Sequence, residues 1–171
     1  MQIIANIFSA CQVTCFGLST VLKKEKNIYL LQGLAPVFVV VALVINGGYT
    51  AACLAVVTAA ANFLALKGEF SKTAFSEMII LMFLIMLITY RQPVDLTSLF
   101  AAVEGISVKK YCKTAKCIHL GMSFNCAMYA VTDMYFKLLF SSACDTVFAL
   151  SSFVSFLRLS KQNKYLALSK I

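Results

Sequence analysis

The carboxylic acid of Glu104 lies inside a long apolar stretch of this sequence, where its chemistry needs an explanation. It follows Pro93 by about eleven residues, or roughly 16 Å of helix, which places it near the middle of a bilayer. An ionisable side chain at that depth costs about 2.5–3.5 kcal/mol on insertion scales. Glu104 therefore either serves a proton or a substrate in a cavity, or stays neutral and hydrogen-bonded within a helix bundle.

Gln12 and Asp145 also lie within apolar stretches, and each has a functional and a structural interpretation. Gln12, at a depth comparable to that of Glu104, faces the same cavity or hydrogen-bonds across neighbouring helices. Asp145 is a second cavity carboxylate, or it pairs with a nearby hydroxyl such as that of Thr146 or Ser142. We predict that the contacts to a substrate or coupling ion come from Glu104, Gln12, Asp145, Asn62 and Asn125.

His119 is the only histidine, and it stands shortly after the basic stretch 109–116. Because imidazole titrates near neutral pH, His119 is a candidate gate; the plainer interpretation is a side chain at the membrane interface.

Signatures of enzymes and metal sites are absent from the sequence. It contains no G-x-S-x-G, no H-E-x-x-H and no phosphate-binding loop. Its seven cysteines form no C-x-x-C pair and no zinc spacing, and most lie in apolar stretches, where cysteine acts as a small hydrophobic residue. We expect no enzymatic activity, no metal and no cofactor.

The composition indicates the class of protein to which these residues belong. Of the 171 residues, 61% are hydrophobic and only 13% are charged, with a mean hydropathy of +0.86. A soluble domain has about a quarter of its residues charged, so a polytopic membrane protein is indicated and disordered, coiled-coil and secreted disulfide-rich classes are excluded. We predict an all-α bundle of seven transmembrane helices, at about 1–22, 27–46, 49–66, 73–90, 94–108, 117–132 and 136–157.

The positive charges predict the orientation of the bundle. Every Lys and Arg except Arg91 and Lys137 falls on one side of the predicted spans. By the positive-inside rule this side is cytoplasmic, so the N-terminus lies outside and the C-terminus inside. That arrangement needs an odd number of spans. A six-span alternative, with the short fifth segment re-entrant, would place both termini on one side.

An internal repeat is indicated by the third and seventh spans, which align without gaps at a shift of about 91 positions. Ala52 and Leu66 then stand opposite Ala143 and Leu157, and Gln12 falls near Glu104. Two three-helix repeats joined by one linker helix would have the same orientation in the membrane. We predict a single membrane domain with a first repeat at 1–67, a linker helix at 73–90, a second repeat at 94–158 and a cytoplasmic basic tail at 159–171.

Over most of its length the chain resembles the YgjV-type bacterial inner-membrane proteins. The resemblance rests on a first span that closes in basic residues, on Pro93-Val94-Asp95-Leu96, and on a seventh span with Asp145, Phe148 and Arg158. The absence of Trp is a departure from that family. Its layout is similar to that of the PQ-loop, SWEET and PnuC transporters, although Cys11-Gln12 stands here in place of a Pro-Gln pair. The resemblance implies an inner-membrane location, and transport by architectural analogy alone.

These observations lead to one leading hypothesis and one alternative. The first is a small-solute transporter or transporter-like protein with a site near the midplane, between the two repeats. The alternative is a non-transporting membrane scaffold or partner-binding subunit, in which the same polar groups only join helices. We expect the lipid bilayer and a small polar solute as partners and no nucleic acid, and leave open whether the chain forms a homo-oligomer.

Overall fold

The structure is a computed structural model that describes residues 1–21, 25–67, 70–112 and 114–168. Within these ranges the chain is all-α, as predicted, and contains no strand. The seven helices are α1 (Gln2–Val21), α2 (Glu25–Ile45), α3 (Tyr49–Lys67), α4 (Lys72–Thr89), α5 (Val94–Tyr111), α6 (Ala115–Tyr135) and α7 (Leu139–Leu168). Lys23 and Lys24, which end the predicted first span, lie outside the described residues.

Three helices differ in extent from the predicted spans, and α6 extends beyond both ends of its predicted span. Helix α5 runs to Tyr111, so Lys109 and Lys110 belong to its last turn rather than to a basic loop. Helix α7 starts at Leu139, because Phe136 lies in the preceding turn, and it continues to Leu168. Much of the predicted tail is therefore helical.

Polar side chains fix the starts of α4 and α5. Ser71 caps α4 by accepting a hydrogen bond from the Ala74 amide at 3.0 Å. Asp95, only 2% exposed, accepts from the amides of Arg91 and Gln92 at 2.9 and 3.1 Å. This bond pair holds the turn between α4 and α5, and it gives the Pro93-Val94-Asp95-Leu96 motif a structural role.

Two turns have the same backbone hydrogen bonds, 90 positions apart. In the α2–α3 turn, Gly48 N donates to Leu43 O at 2.8 Å and Gly47 has a φ of +78°. In the α6–α7 turn, Leu138 N donates to Asp133 O at 2.8 Å and Lys137 has a φ of +59°. Both are Schellman motifs, with the residue after the helix in the left-handed conformation. This spacing is one less than the shift of the sequence alignment.

Six helices form a closed ring, and α4 lies outside it. Neighbours around the ring are α1, α2, α3, α5, α6 and α7, and α7 packs back against α1. Helix α4 packs against α3 and α5 through Met78, Met82 and Met86, which share one helix face at four-residue spacing. Its other face exposes Ile80, Leu87 and Ile88.

The outer surface of the bundle is apolar. Exposed side chains on α5 and α7 include Phe100, Val147 and Leu150. Tyr49–Lys67, Lys72–Thr89 and Leu139–Lys161 are long and apolar enough to cross a membrane, while Gln2–Leu18 and Gly33–Ile45 are shorter apolar segments. An apolar surface this extensive is stable when lipid covers it.

Candidate functional site

A cavity of about 600 Å³ lies at the centre of the six-helix ring. Its volume falls in the range that binds small molecules, about 300–1,000 Å³. Each helix of the ring contributes lining side chains, and among the described residues α4 contributes none. The lining is apolar on α2 and carries most of its polar groups on α5, α6 and α7.

The structure places all five predicted substrate-contact residues on this one cavity: Gln12, Asn62, Glu104, Asn125 and Asp145. These residues come from five different helices. His119 is not among the lining residues, and its Nδ1 is buried without a hydrogen-bond partner in the described part of the chain. The geometry therefore gives His119 no contact with the cavity.

The first polar cluster in the cavity surrounds Glu104. Asn125 Nδ2 donates to the Ala101 carbonyl at 2.6 Å, and the Asn125 side chain also hydrogen-bonds the Glu104 carboxyl. Lys109 Nζ donates to Asn62 Oδ1 and lies close enough to Glu104 for the two charges to attract. Glu104 Oε2 is buried, and no described residue donates to it. An acid, a base and two amides thus meet between α3, α5 and α6.

Gly121 makes room for Glu104. A Cβ atom at this position would lie 2.6 Å from Glu104 Oε1 and would overlap the side chain of Val108. Helices α5 and α6 approach closely here because one of them lacks a side chain.

The second polar cluster links α1, α6 and α7 around Ser141. Its hydroxyl donates to Gln12 Oε1 at 3.0 Å, and its amide donates to Ser9 Oγ at 3.1 Å. The Asp133 carboxyl lies close to the same Ser141 side chain. Gln12 thus combines both interpretations of its role, since it bonds across helices and lines the cavity.

Asp145 is not paired with the hydroxyls that the sequence suggested. Ser142 Oγ donates to the Ala130 carbonyl at 2.9 Å, and Thr146 Oγ1 donates to the Ser142 carbonyl at 2.8 Å. Both hydroxyls therefore satisfy backbone groups. The Asp145 carboxyl faces the cavity and interacts electrostatically with Asp133.

The polar cavity residues that sequence reasoning missed include Lys109, Asp133 and Tyr129. The run of basic residues predicts a loop at Lys109, whereas α5 continues for one more turn after Val108 and places Lys109 on the cavity. Asp133 stands at the end of α6, where an acid is easily taken for an interfacial one. Tyr129 lies one turn before Asp133, and this four-residue spacing is the signal that could have drawn attention to both.

The cavity-lining residues of the two halves correspond by position. Ala35, Pro36, Val39 and Leu43 on α2 stand 90 positions before Asn125, Cys126, Tyr129 and Asp133 on α6. Ala55 and Thr58 on α3 stand 90 positions before Asp145 and Phe148 on α7. Gln12, Val13 and Phe16 on α1 stand 92 positions before Glu104, Gly105 and Val108 on α5. The same helix faces thus line the cavity in both halves.

One pair of cysteines departs from the expected hydrophobic role. Cys112 and Cys117 form a disulfide across the α5–α6 turn, with Cα atoms 5.5 Å apart. A spacing of five residues matches no common cysteine motif, so the sequence did not predict this pair. The α5–α6 turn brings the two cysteines together at the ends of their helices. In the described part of the chain, no three His, Cys, Asp or Glu side chains converge as metal ligands.

Comparisons with known proteins assign the family. Among curated proteins and among solved structures, none matches the chain significantly. The family described as Imp-YgjV, bacterial inner membrane protein, matches residues 2–163. This match covers the cavity and all seven helices up to Asn163 in α7, and the chain belongs to this bacterial inner-membrane protein family.

Proposed function

We propose that the chain transports a small polar solute across the inner membrane. Its seven helices would all span the bilayer, as two parallel three-helix repeats, α1–α3 and α5–α7, with α4 as the linker. The solute or its coupling ion would bind in the central cavity, in contact with Gln12, Asn62, Glu104, Asn125 and Asp145.

The observation that carries the proposal is a cavity with charged and amide side chains in its lining, inside a bundle whose outer surface is apolar. Buried charges destabilise a bundle in lipid, so side chains that only join helices would satisfy one another fully. Glu104 Oε2 has no donor among the described residues, although the Asn125 and Lys109 side chains are close to the carboxyl. A buried oxygen without a donor is available to accept a hydrogen bond from a solute or to bind a proton.

The correspondence between the halves supports the repeat. Exchanging α1, α2 and α3 for α5, α6 and α7 leaves the order of neighbours around the ring unchanged. The two Schellman turns and the lining faces follow the same exchange. A site between parallel repeats is the arrangement in which rocking of one unit against the other opens alternate sides of the membrane.

The proposed orientation has the N-terminus outside and the C-terminus in the cytoplasm. It is supported by the distribution of Lys and Arg, since Arg91 and Lys137 alone fall on the outer side. Fusions of alkaline phosphatase and of a fluorescent protein to the C-terminus test it. We expect fluorescence without phosphatase activity, and the reverse result would overturn the orientation.

Uptake into proteoliposomes tests the transport proposal. The purified chain is reconstituted and a panel of labelled metabolites is screened, with Glu104→Gln as the variant and Glu77→Gln, at an exposed position on α4, as the matched control. We expect a solute whose uptake falls with Glu104→Gln and persists with Glu77→Gln. No uptake above that of protein-free liposomes by any of the three proteins, together with lower stability of Glu104→Gln alone, would instead indicate a non-transporting scaffold.

A further inference from the structure

The charges that line the cavity do not balance. Its described lining contains the carboxyls of Glu104, Asp133 and Asp145 and only one cationic side chain, that of Lys109. The Lys109 ammonium group donates a hydrogen bond to Asn62, and its positive charge compensates that of Glu104. Asp133 and Asp145 are therefore left without a positive partner among the described lining residues.

Asp133 and Asp145 come together because of the turn that joins their helices. Asp133 lies in the last turn of α6 and its carbonyl accepts the Schellman bond from Leu138, so α7 returns directly alongside. The two carboxyls are close enough to repel each other. Asp133 lies beside the Ser141 side chain, whose hydroxyl donates to Gln12, and Asp145 is half-buried and faces the cavity. Two neighbouring carboxyls in a low-dielectric interior are stabilised either by a proton on one of them or by a positive charge placed between them.

Aromatic rings accompany both carboxyls. Tyr129 precedes Asp133 by four residues on α6, and Phe148 follows Asp145 by three residues on α7, so each ring shares a helix face with its acid. Both rings line the cavity. Tyr129 also lies close enough to interact electrostatically with both carboxyls, and its hydroxyl lies near that of Thr58. Carboxylates combined with aromatic faces are the groups that recognise organic ammonium ions.

A metal ion fits these groups less well. Calcium takes about six to eight oxygen ligands and magnesium about six. No group of three or more potential metal ligands converges in the described residues. The apolar side chains of α2 on the opposite wall, such as Val39 and Leu43, suit the carbon skeleton of an organic ion.

We propose that the cavity binds a small organic cation, whose ammonium or guanidinium group lies between Asp133 and Asp145, beside Tyr129. This inference rests on the proposed transport function and names the class of its solute. The aliphatic part of the ion would lie against α2.

Binding to the purified full chain in detergent tests the inference without any transport step. The probes are choline, putrescine and agmatine, and the neutral analogues 3,3-dimethylbutan-1-ol and 1,4-butanediol match the first two in shape. We expect at least one cation to raise the melting temperature and to bind about tenfold or more tightly than its neutral analogue, because a buried carboxyl discriminates charge strongly. No binding by any cation, or equal binding by the neutral analogues, would overturn the inference.

Variants then locate the site. Asp145→Asn keeps the shape of the side chain and should weaken cation binding about tenfold or more, because it removes the unpaired charge. Asp145→Glu should restore part of the affinity, and Glu77→Gln should leave it unchanged. The melting temperatures of the unliganded variants show whether each is folded. Unchanged cation affinity in a folded Asp145→Asn would overturn the inference.

The uptake panel separates this inference from the transport proposal. Uptake of a neutral or anionic solute that depends on Glu104 would leave the transport proposal standing and overturn the cation site. Cation binding without flux of any solute would support the site and contradict transport.

Discussion

The side chain of Lys109, in the last turn of α5, donates a hydrogen bond to Asn62 on α3. The two residues belong to different three-helix sets, and both line the central cavity. Lys109 also attracts Glu104 on its own helix. This one ammonium group thus connects the two halves of the ring and compensates an acid of the cavity.

We expect Asn62→Leu to lower the free energy of unfolding by about 1–3 kcal/mol, because the Lys109 ammonium loses its acceptor inside the protein. Lys109→Met should have an effect of similar size, since it leaves the Asn62 amide and the Glu104 carboxyl without the cation. Reversible unfolding in mixed detergent micelles measures both effects. The double variant should lose less than the sum of the single losses. Strictly additive losses would contradict a direct interaction, and Lys72→Met, at an exposed lysine, is the control.

A second prediction concerns the contact between α5 and α6. Gly121→Ala should destabilise the bundle by about 1–3 kcal/mol, because the added Cβ meets Val108 and Glu104 in a tightly packed region. It should also weaken solute binding by displacing the Glu104 carboxyl. Gly17→Ala is the matched control. An added Cβ there meets no atom within 4 Å, and alanine favours a helix over glycine by about 0.5–1 kcal/mol. Equal stability changes in the two variants would contradict the packing role of Gly121.

The helices could be predicted from the sequence because hydrophobic runs and their boundaries are local signals. The run 73–90 corresponds to α4 (Lys72–Thr89), and Gly47 marks the α2–α3 turn. The end of α5 and the start of α7 were harder to predict. Lys109 belongs to a basic stretch that is typical of a loop, and the α6–α7 turn contains no glycine. There Lys137 adopts the left-handed conformation, which lysine rarely does.

The third prediction follows from this difference between the two turns. Lys137→Gly should stabilise the protein by up to about 1 kcal/mol, because glycine adopts a positive φ without steric cost. Gly47→Ala should destabilise it by about 1 kcal/mol, because alanine does not. Thermal unfolding of the two variants in the same detergent shows whether each substitution raises or lowers the stability. A loss of stability in Lys137→Gly would show that contacts of the lysine side chain outweigh its backbone strain.

The candidate site was predictable where a polar residue interrupts an apolar run. Gln12, Asn62, Glu104, Asn125 and Asp145 all stand out in this way, and the structure brings them to one cavity. Their meeting depends on contacts between distant helices, such as that of α3 with α5, which periodicity along one helix does not encode. Asp133 could not be singled out for the same reason, because its role depends on lying near Asp145 in the folded protein.

The last prediction uses Cys112 and Cys117, which form a disulfide in the α5–α6 turn. In the proposed orientation this turn faces the cytoplasm, where thiols are kept reduced. We therefore expect both cysteines to be free in growing cells and to pair when the purified protein is oxidised in air. Alkylation of intact cells with N-ethylmaleimide before lysis, followed by mass spectrometry, measures this directly.

The variant Cys117→Ser is the control, since its Cys112 lacks the disulfide partner and must be alkylated on either side of the membrane. A disulfide recovered intact from alkylated cells would place the turn in an oxidising compartment and reverse the orientation. The same result would put the basic residues Lys109, Lys110 and Lys116 outside, against the charge distribution on which the orientation rests.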